Sequence, residues 1–192
     1  MPGAIDAATR VKLDALYEDG HDHFHRFDAE VRQRAFHPFV PADYNDVESI
    51  LLPLRGTGGG AVLFLEWGSG TGVITIMADL LGFEAYGIEI DGSLVDVARG
   101  LAKKHASGAR FAAASFLPAG YEYRDPDGGH RTGTLGSGPS GYLALGHPLE
   151  DFDVVFGYPW HGEEPIMRDV FRRYGREDAR LLIYPIDKGK AR

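Results

Sequence analysis

The sequence predicts an α/β protein with a doubly wound, mostly parallel sheet, shortened after its fifth strand and preceded by N-terminal helices. Two observations support this prediction. Short apolar runs between residues 61 and 186 alternate with segments of helical periodicity, and this alternation is typical of a parallel sheet covered by helices on both faces. The clearest runs are continuously apolar, which indicates strands that are buried on both faces.

The N-terminal part of the chain is predicted to be helical. Apolar residues recur there at helical spacing. The helical run is predicted to end before Pro38, because a proline disfavours the α conformation in the residue before it. A shorter helix capped by Asn45 or Asp46 is predicted to follow. We therefore expect residues 1–54 to form a helical cap segment and residues 55–192 to form the sheet-containing part of one domain.

The elements of the sheet-containing part are predicted in chain order. Strands are expected at 61–66, 84–90, 109–116, 152–157 and 179–186, and helices at 71–81, 92–105 and 163–174. Residues 118–149 interrupt the alternation with many Gly, Asp, Pro and Ser residues, and so long a loop is unusual in a compact domain. The pairs Tyr121/Tyr123 and Tyr142/Leu143 beside glycine-rich turns indicate a hairpin within this insertion.

Composition and charge narrow the possible functions. The chain of 192 residues contains no cysteine, which excludes disulfides and thiolate chemistry. Its formal net charge of −8 disfavours nucleic acid as a partner, because phosphate backbones are also negative. No apolar run approaches the roughly 20 residues of a membrane span, and the first residues do not resemble a secretion signal. We therefore expect no membrane association and a cytoplasmic location.

The strongest motif is the segment EWGSGTG at residues 66–72, between the first predicted strand and a helix. Glycines there allow a tight turn and a close approach to a ligand, and the helix behind them offers unpaired N–H groups. The spacing does not match the dinucleotide or triphosphate loops, which disfavours a nucleotide-dependent oxidoreductase. A carboxylate at Glu66 disfavours pyrophosphate and suits a cationic amine. Glu89, about 20 residues further on, is placed to accept hydrogen bonds from ribose hydroxyls.

FLEWGSGTG followed by GIEID resembles the first two motifs of class I S-adenosylmethionine-dependent methyltransferases. The resemblance covers residues 61–186, apart from the interruption at 118–149, and implies a Rossmann-like fold with S-adenosylmethionine as cofactor and S-adenosylhomocysteine as product. It implies that Glu66 and the glycine loop hold the methionine portion, Glu89 the ribose and Ile90 the adenine. Where many members have an acidic residue near the adenine, this chain has Ser115 and Phe116. The expected cofactor-binding residues are Glu66, Gly68, Ser69, Gly70, Thr71, Gly72, Glu89, Ile90, Ser115 and Phe116.

The resemblance also implies that the end of the fourth predicted strand faces the transferred methyl group. Its continuation GYPW is similar to the Asn/Asp-Pro-Pro-aromatic motif of amino-group methyltransferases, but Gly157 has no side-chain acceptor. Tyr158 and Trp160 are predicted to form an aromatic wall, and His161 is predicted to act as a base or orienting group. Acidic residues at 163 and 164 are ordinary for the first turn of a helix.

These observations predict a methyltransferase that acts on an unidentified small-molecule or protein acceptor. A non-catalytic module that binds S-adenosylmethionine as a partner or sensor stays open, because the sheet is short and the acceptor side chain is missing. The histidines of HDHFH, at 21, 23 and 25, lack an identifiable third ligand, so no metal site is predicted. A bare edge strand would favour a homodimer.

Overall fold

A computed structural model of the chain describes residues 5–30, 40–56, 60–122, 138–160 and 162–184. The elements follow in the order α1 (Ala7–Glu30), α2 (Tyr44–Leu51), β1 (Leu63–Trp67), α3 (Val73–Leu80), β2 (Glu84–Glu89), α4 (Gly92–Lys104), β3 (Arg110–Ala113), α5 (Gly141–Leu145), β4 (Val154–Gly157), α6 (Glu164–Tyr174) and β5 (Arg180–Ile183). Short 3-10 turns follow α2 and precede β4.

The five strands form one sheet in the order β3-β2-β1-β4-β5, and all neighbouring strands are parallel. The chain moves outward from β1 through β2 to β3, and then returns to place β4 on the other side of β1. The strand order therefore reverses between β1 and β4, which is where open α/β sheets bind ligands at their carboxyl ends. The doubly wound parallel sheet predicted from the sequence is confirmed.

Side chains on the two faces of the sheet build two separate cores. Phe64 and Phe156 point toward the face that α1 to α4 cover, whereas Leu65 and Trp67 point toward the face that α5 and α6 cover. All four side chains are almost fully buried. Burial on both faces explains why the strands are continuously apolar in sequence. The two helical layers leave the carboxyl ends of β1, β2 and β4 as the place for a pocket.

The N-terminal helices pack against α3 and belong to the first core. They are joined by the carboxylate of Glu48 on α2, which accepts hydrogen bonds from Arg10 and from Tyr17 Oη at 2.7 Å. The cap of α2 is Asp43, whose Oδ1 accepts the N–H groups of Asn45 and Asp46. The prediction that residue 45 or 46 caps this helix was therefore wrong by two or three positions.

The returning part of the insertion is helical. Tyr142 and Leu143, predicted to belong to a hairpin, lie on α5, which ends at Gly146 with a φ of +77°. That part of the hairpin prediction is wrong, because a left-handed glycine here ends a helix instead of turning a strand. Tyr123 lies outside the described residues. None of the helices in the described ranges combines the length and the apolar character that a membrane crossing requires.

Gly72, at the start of α3, is required by the packing of the sheet-covering helices. Its φ is +78°, and a Cβ built on it would lie 2.7 Å from Ala98 Cβ and 2.7 Å from the Phe111 ring. Gly72→Ala combines backbone strain with overpacking, so we expect it to lower the free energy of unfolding by about 2–5 kcal/mol. Urea denaturation measures this loss.

Gly100→Ala provides the matched control for this prediction. Gly100 lies within α4, and a Cβ there would meet no atom within 4 Å. Alanine should therefore raise the free energy of unfolding by about 0.5–1 kcal/mol, because it reduces the conformational freedom of the unfolded chain. A Gly72→Ala variant as stable as wild type would contradict the packing role assigned to Gly72.

Candidate functional site

A pocket lies at the carboxyl ends of β1, β2 and β4, where the strand order reverses. Eight of the predicted site residues line it: Glu66, Gly68, Ser69, Gly70, Thr71, Glu89, Tyr158 and Trp160. The N-terminal part of the chain contributes Tyr44 and the segment 40–42. The sheet thus brings residues far apart in sequence to one cavity, because parallel strands present all their carboxyl ends at the same edge.

The glycine loop has a conformation that only glycine adopts easily. Gly68 and Gly70 have φ values of +70° and +52°, within the left-handed region that disfavours other residues. The N–H groups of Gly68 and Ser69 both donate to the carbonyl oxygen of Ile88, at 2.8 and 3.0 Å, and tie the loop to β2. A Cβ on Gly68 would meet no atom within 4 Å. Space is therefore open above this backbone, as a closely approaching ligand requires.

Gly87 on β2 is a residue of this site that the sequence analysis missed. A Cβ on it would lie 2.8 Å from Cβ of Ser69, so glycine at this position makes room for the loop. The hydroxyl of Ser69 is buried and has no hydrogen-bond partner among the described residues. The only sequence signal was a glycine inside a strand, which marks a close approach of another part of the chain.

Glu89 connects the end of β2 to the glycine loop. Its Oε2 accepts the N–H of Gly70 at 2.9 Å, and its Oε1 accepts the N–H of Asp91 at 2.9 Å. Burial raises the pKa of Glu89, while these backbone donors act in the opposite direction. The carboxylate is held in one orientation, at the edge of the pocket, and has the acceptor capacity that a pair of hydroxyl donors needs.

Glu66, at the end of β1, is a buried acid inside the same pocket. Its Oε2 accepts hydrogen bonds from the N–H of Thr75 at 2.9 Å and from the Thr75 hydroxyl at 2.5 Å. Burial, with a smaller contribution from the charge of Glu89, raises the pKa of Glu66 to about 8. A cationic group in the pocket would favour the ionised form of this carboxyl.

Two aromatic residues that follow β4, Tyr158 and Trp160, line the pocket. A Cβ on Gly157 would lie 2.8 Å from Sδ of Met167, so the methionine of α6 fills the space that an Asn or Asp side chain would need. Glu163 is 1% exposed, and its Oε2 accepts the N–H of Trp160 at 2.9 Å. Glu163 therefore holds the backbone of the turn that carries Trp160. The sequence analysis had explained the acid at position 163 only by the helix dipole, and it did not predict this contact. His161 lies outside the described residues.

Four of the predicted cofactor residues do not line the pocket: Gly72, Ile90, Ser115 and Phe116. Phe116 stacks on Trp67 in the second core, with ring centroids 5.0 Å apart. The backbone of Ser115 pairs with the returning arm of the insertion. The residue in register with Glu89 on β3 is Ala113, which is exposed. The residue beside Glu89 in the sheet is therefore the small Ala113, which the sequence analysis did not predict as a site residue.

The histidines of the first helix do not enter the pocket. His21 packs on the ring of Tyr44 with centroids 5.0 Å apart, and His23 lies within hydrogen-bond distance of Arg26 on the exposed side of α1. Over the described ranges, no group of three or more His, Asp or Glu side chains could hold a metal ion.

Neither a protein-family model nor a curated protein matches the chain, whereas solved structures match it in fold. An RNA methyltransferase from Salinibacter ruber in complex with S-adenosyl-L-homocysteine is 21% identical with a TM-score of 0.53, over 80% of this chain and 82% of that one. A precorrin-6Y C5,15-methyltransferase from Geobacter metallireducens is 14% identical with a TM-score of 0.52, and the match covers 81% of this chain and 70% of that one. A SAM-dependent methyltransferase from Agrobacterium tumefaciens is 14% identical with a TM-score of 0.51, over 77% and 46%.

Proposed function

Because the chain has the fold of the class I, Rossmann-like S-adenosylmethionine-dependent methyltransferases, we propose that it binds S-adenosylmethionine and transfers its methyl group to an acceptor. The observation that carries the proposal is the convergence of Glu66, the Gly68–Gly70 backbone and Glu89 in one pocket. This pocket lies at the point where the strand order reverses.

The residues of the pocket fit an aminoacyl nucleoside. Glu89 would accept hydrogen bonds from the ribose hydroxyls, as a carboxylate at the end of a second strand does in nucleotide-binding sheets. The open space above Gly68 leaves room for a ligand along the loop. Glu66 provides negative charge for an ammonium group. No Lys, Arg or His is among the described residues that line the pocket, so the pocket offers no cation to a pyrophosphate, which distinguishes it from a dinucleotide site.

The chemistry that S-adenosylmethionine supplies when bound is an electrophilic methyl group on a sulfonium. The chain's own residues would mainly align the acceptor and exclude water, since an in-line displacement depends on position. Tyr158 and Trp160 would form the wall beside the acceptor, and Glu163 would keep that wall in place through the N–H of Trp160. His161, next in sequence, is proposed as the group that orients the acceptor or takes its proton.

The acceptor that we propose is a small molecule or a protein side chain. Gly157 offers no side chain, and Met167 fills the adjoining space, so the acceptor would not be held by the amide or carboxylate that amino-group methyltransferases of the Asn/Asp-Pro-Pro type use. The net charge of −8 disfavours long phosphate backbones as acceptors. The homodimer and the cytoplasmic location stay predictions.

Calorimetric titration tests the proposal. S-adenosylmethionine and S-adenosylhomocysteine should bind the folded protein, and NADH, titrated as a control, should not. Folded protein that binds neither sulfur nucleoside would contradict the proposal. A screen with methyl-labelled S-adenosylmethionine against amines, phenols, carboxylic acids and protein substrates then tests transfer. Binding without turnover in any class would favour the non-catalytic module.

A further inference from the structure

The pocket proposed to bind S-adenosylmethionine includes an aromatic residue from the N-terminal helices, Tyr44. The motifs at the strand ends do not explain the role of this residue. Tyr44 is the first residue of α2 and is 4% exposed. It lines the pocket together with Glu66 and Tyr158. A helix that only covered the sheet would not need to place a polar aromatic group against the carboxyl end of β1.

The ring of Tyr44 is held firmly in this position. It packs on Tyr17 and His21 of α1, with ring centroids 5.3 and 5.0 Å away. Gly20 makes room for it, since a Cβ on this glycine would lie 2.8 Å from Oη of Tyr44 and 2.8 Å from a methyl carbon of Val73. Gly20 is itself one of the buried residues of α1.

The hydroxyl of Tyr44 is available to a ligand as a hydrogen-bond donor. Burial, and secondly the charge of Glu66, raise the pKa of Tyr44, so the hydroxyl keeps its proton. Across the ranges that the structure describes, Oη of Tyr44 takes part in no hydrogen bond with the protein. Oη of Tyr44 is not one of the fully buried side-chain atoms that lack a partner, so it keeps contact with solvent, and a ligand in the pocket can take the place of that solvent.

The direction of the ligand follows from the order of the acids along the sheet edge. Glu89 lies on β2, so the ribose would lie on that side of the pocket, and the opposite end of the ligand would lie toward β1 and β4. Glu66 lies at the carboxyl end of β1, and Tyr44, which also lines the pocket, is near enough for the charge of Glu66 to raise its pKa. One is an acceptor that suits an ammonium, and the other is a donor that suits a carboxylate.

We propose that Tyr44 and Glu66 together bind the zwitterionic amino-acid end of S-adenosylmethionine. The Tyr44 hydroxyl would donate to its carboxylate, and Glu66 would bind its ammonium group. The inference rests on the proposed function. It makes the N-terminal helical segment part of the donor site. The ligand class is an α-amino acid joined to a nucleoside through a thioether or sulfonium.

The test compares two probes on one variant. S-adenosylhomocysteine carries the amino-acid end, whereas 5′-methylthioadenosine has the same nucleoside and a thioether without it. Tyr44→Phe keeps the ring packing and removes only the hydroxyl. We expect it to weaken S-adenosylhomocysteine binding about tenfold, as loss of a hydrogen bond to a charged group does, and to leave methylthioadenosine binding unchanged. Calorimetry measures both affinities.

Tyr17→Phe is the matched control, since it removes a buried hydroxyl from the same aromatic cluster without altering a pocket-lining residue. It should change neither affinity. If Tyr44→Phe weakened both probes equally or neither of them, the assignment of Tyr44 would be overturned while the proposed function stood. If wild type bound neither probe, the proposed function itself would be contradicted, and the assignment of Tyr44 with it.

Discussion

Glu89→Ala is expected to weaken the binding of S-adenosylhomocysteine by about 100-fold. Two hydrogen bonds from ribose hydroxyls to a carboxylate would be lost, each with a contribution of about 1.5 kcal/mol or more. The substitution also removes the acceptor of the Gly70 N–H at 2.9 Å, so the glycine loop would lose one of its anchors. Calorimetric titration of the purified variant measures the change in affinity.

The control for this substitution lies at the other end of the same strand. Glu84, which accepts a hydrogen bond from the Tyr86 hydroxyl at 2.5 Å, is outside the pocket, so Glu84→Ala should leave the affinity unchanged. Glu89→Gln keeps one carbonyl acceptor and should give an intermediate loss. An affinity in Glu89→Ala equal to that of wild type would rule out a ribose contact at this carboxylate.

Glu66→Gln is expected to make the ligand-free protein more stable at pH 8 and to impair donor binding. Burial raises the pKa of Glu66 from 4.5 to about 8, so the folded state holds this proton more tightly than the unfolded state. Its stabilising contribution is complete below about pH 4.5 and is lost as the pH rises toward 8. Glutamine is neutral at every pH and keeps an acceptor for Thr75.

Thermal denaturation between pH 5 and pH 8 measures this difference. At pH 5 the variant and wild type should melt at similar temperatures. At pH 8 the variant should melt roughly 4–8 °C higher than wild type. This estimate assumes that ionisation of buried Glu66 costs wild type about 2 kcal/mol of folding free energy at that pH. The exposed Glu177→Gln serves as the control and should follow wild type throughout. A melting difference that did not change with pH would show that Glu66 is already ionised in the folded protein.

The same substitution separates binding from stability. An ammonium group prefers the ionised carboxyl, so the affinity of wild type for S-adenosylhomocysteine should rise from pH 6 to pH 8 as Glu66 becomes easier to ionise. In Glu66→Gln the affinity should be lower and nearly independent of pH over this range. A stabilising substitution that impairs binding is expected where a buried acid is kept for function instead of stability.

Much of the fold could be predicted because its signals are local. A continuously apolar run followed by a glycine turn and an amphipathic helix specifies a buried parallel strand and its crossover within a single stretch of chain. Glu66, Gly68, Gly70 and Glu89 lie in such stretches, at strand ends, and the parallel sheet brings strand ends to one edge. The positions of these residues in the pocket followed from topology alone.

The contacts that the insertion makes with the sheet could not be predicted from the sequence, for a physical reason. Phe116, whose contact with the cofactor stays a prediction, stacks on Trp67. The hydroxyl of Tyr142 joins these two residues, since it accepts from Trp67 Nε1 at 3.0 Å and donates to the Phe116 carbonyl at 2.8 Å. These partners are up to 75 residues apart. No local pattern specifies such a contact, because it depends on how the insertion returns to the sheet.

The sequence by itself determined the layer architecture, the glycine loop and the two acids at the strand ends, because apolar periodicity and backbone freedom act over a few neighbouring residues. Only the tertiary structure decided that Tyr44 reaches the pocket from α2, that Met167 closes the space beside Gly157, and that Glu163 braces Trp160. Packing between elements determines these contacts, since a side chain's partner depends on which helix covers which end of the sheet.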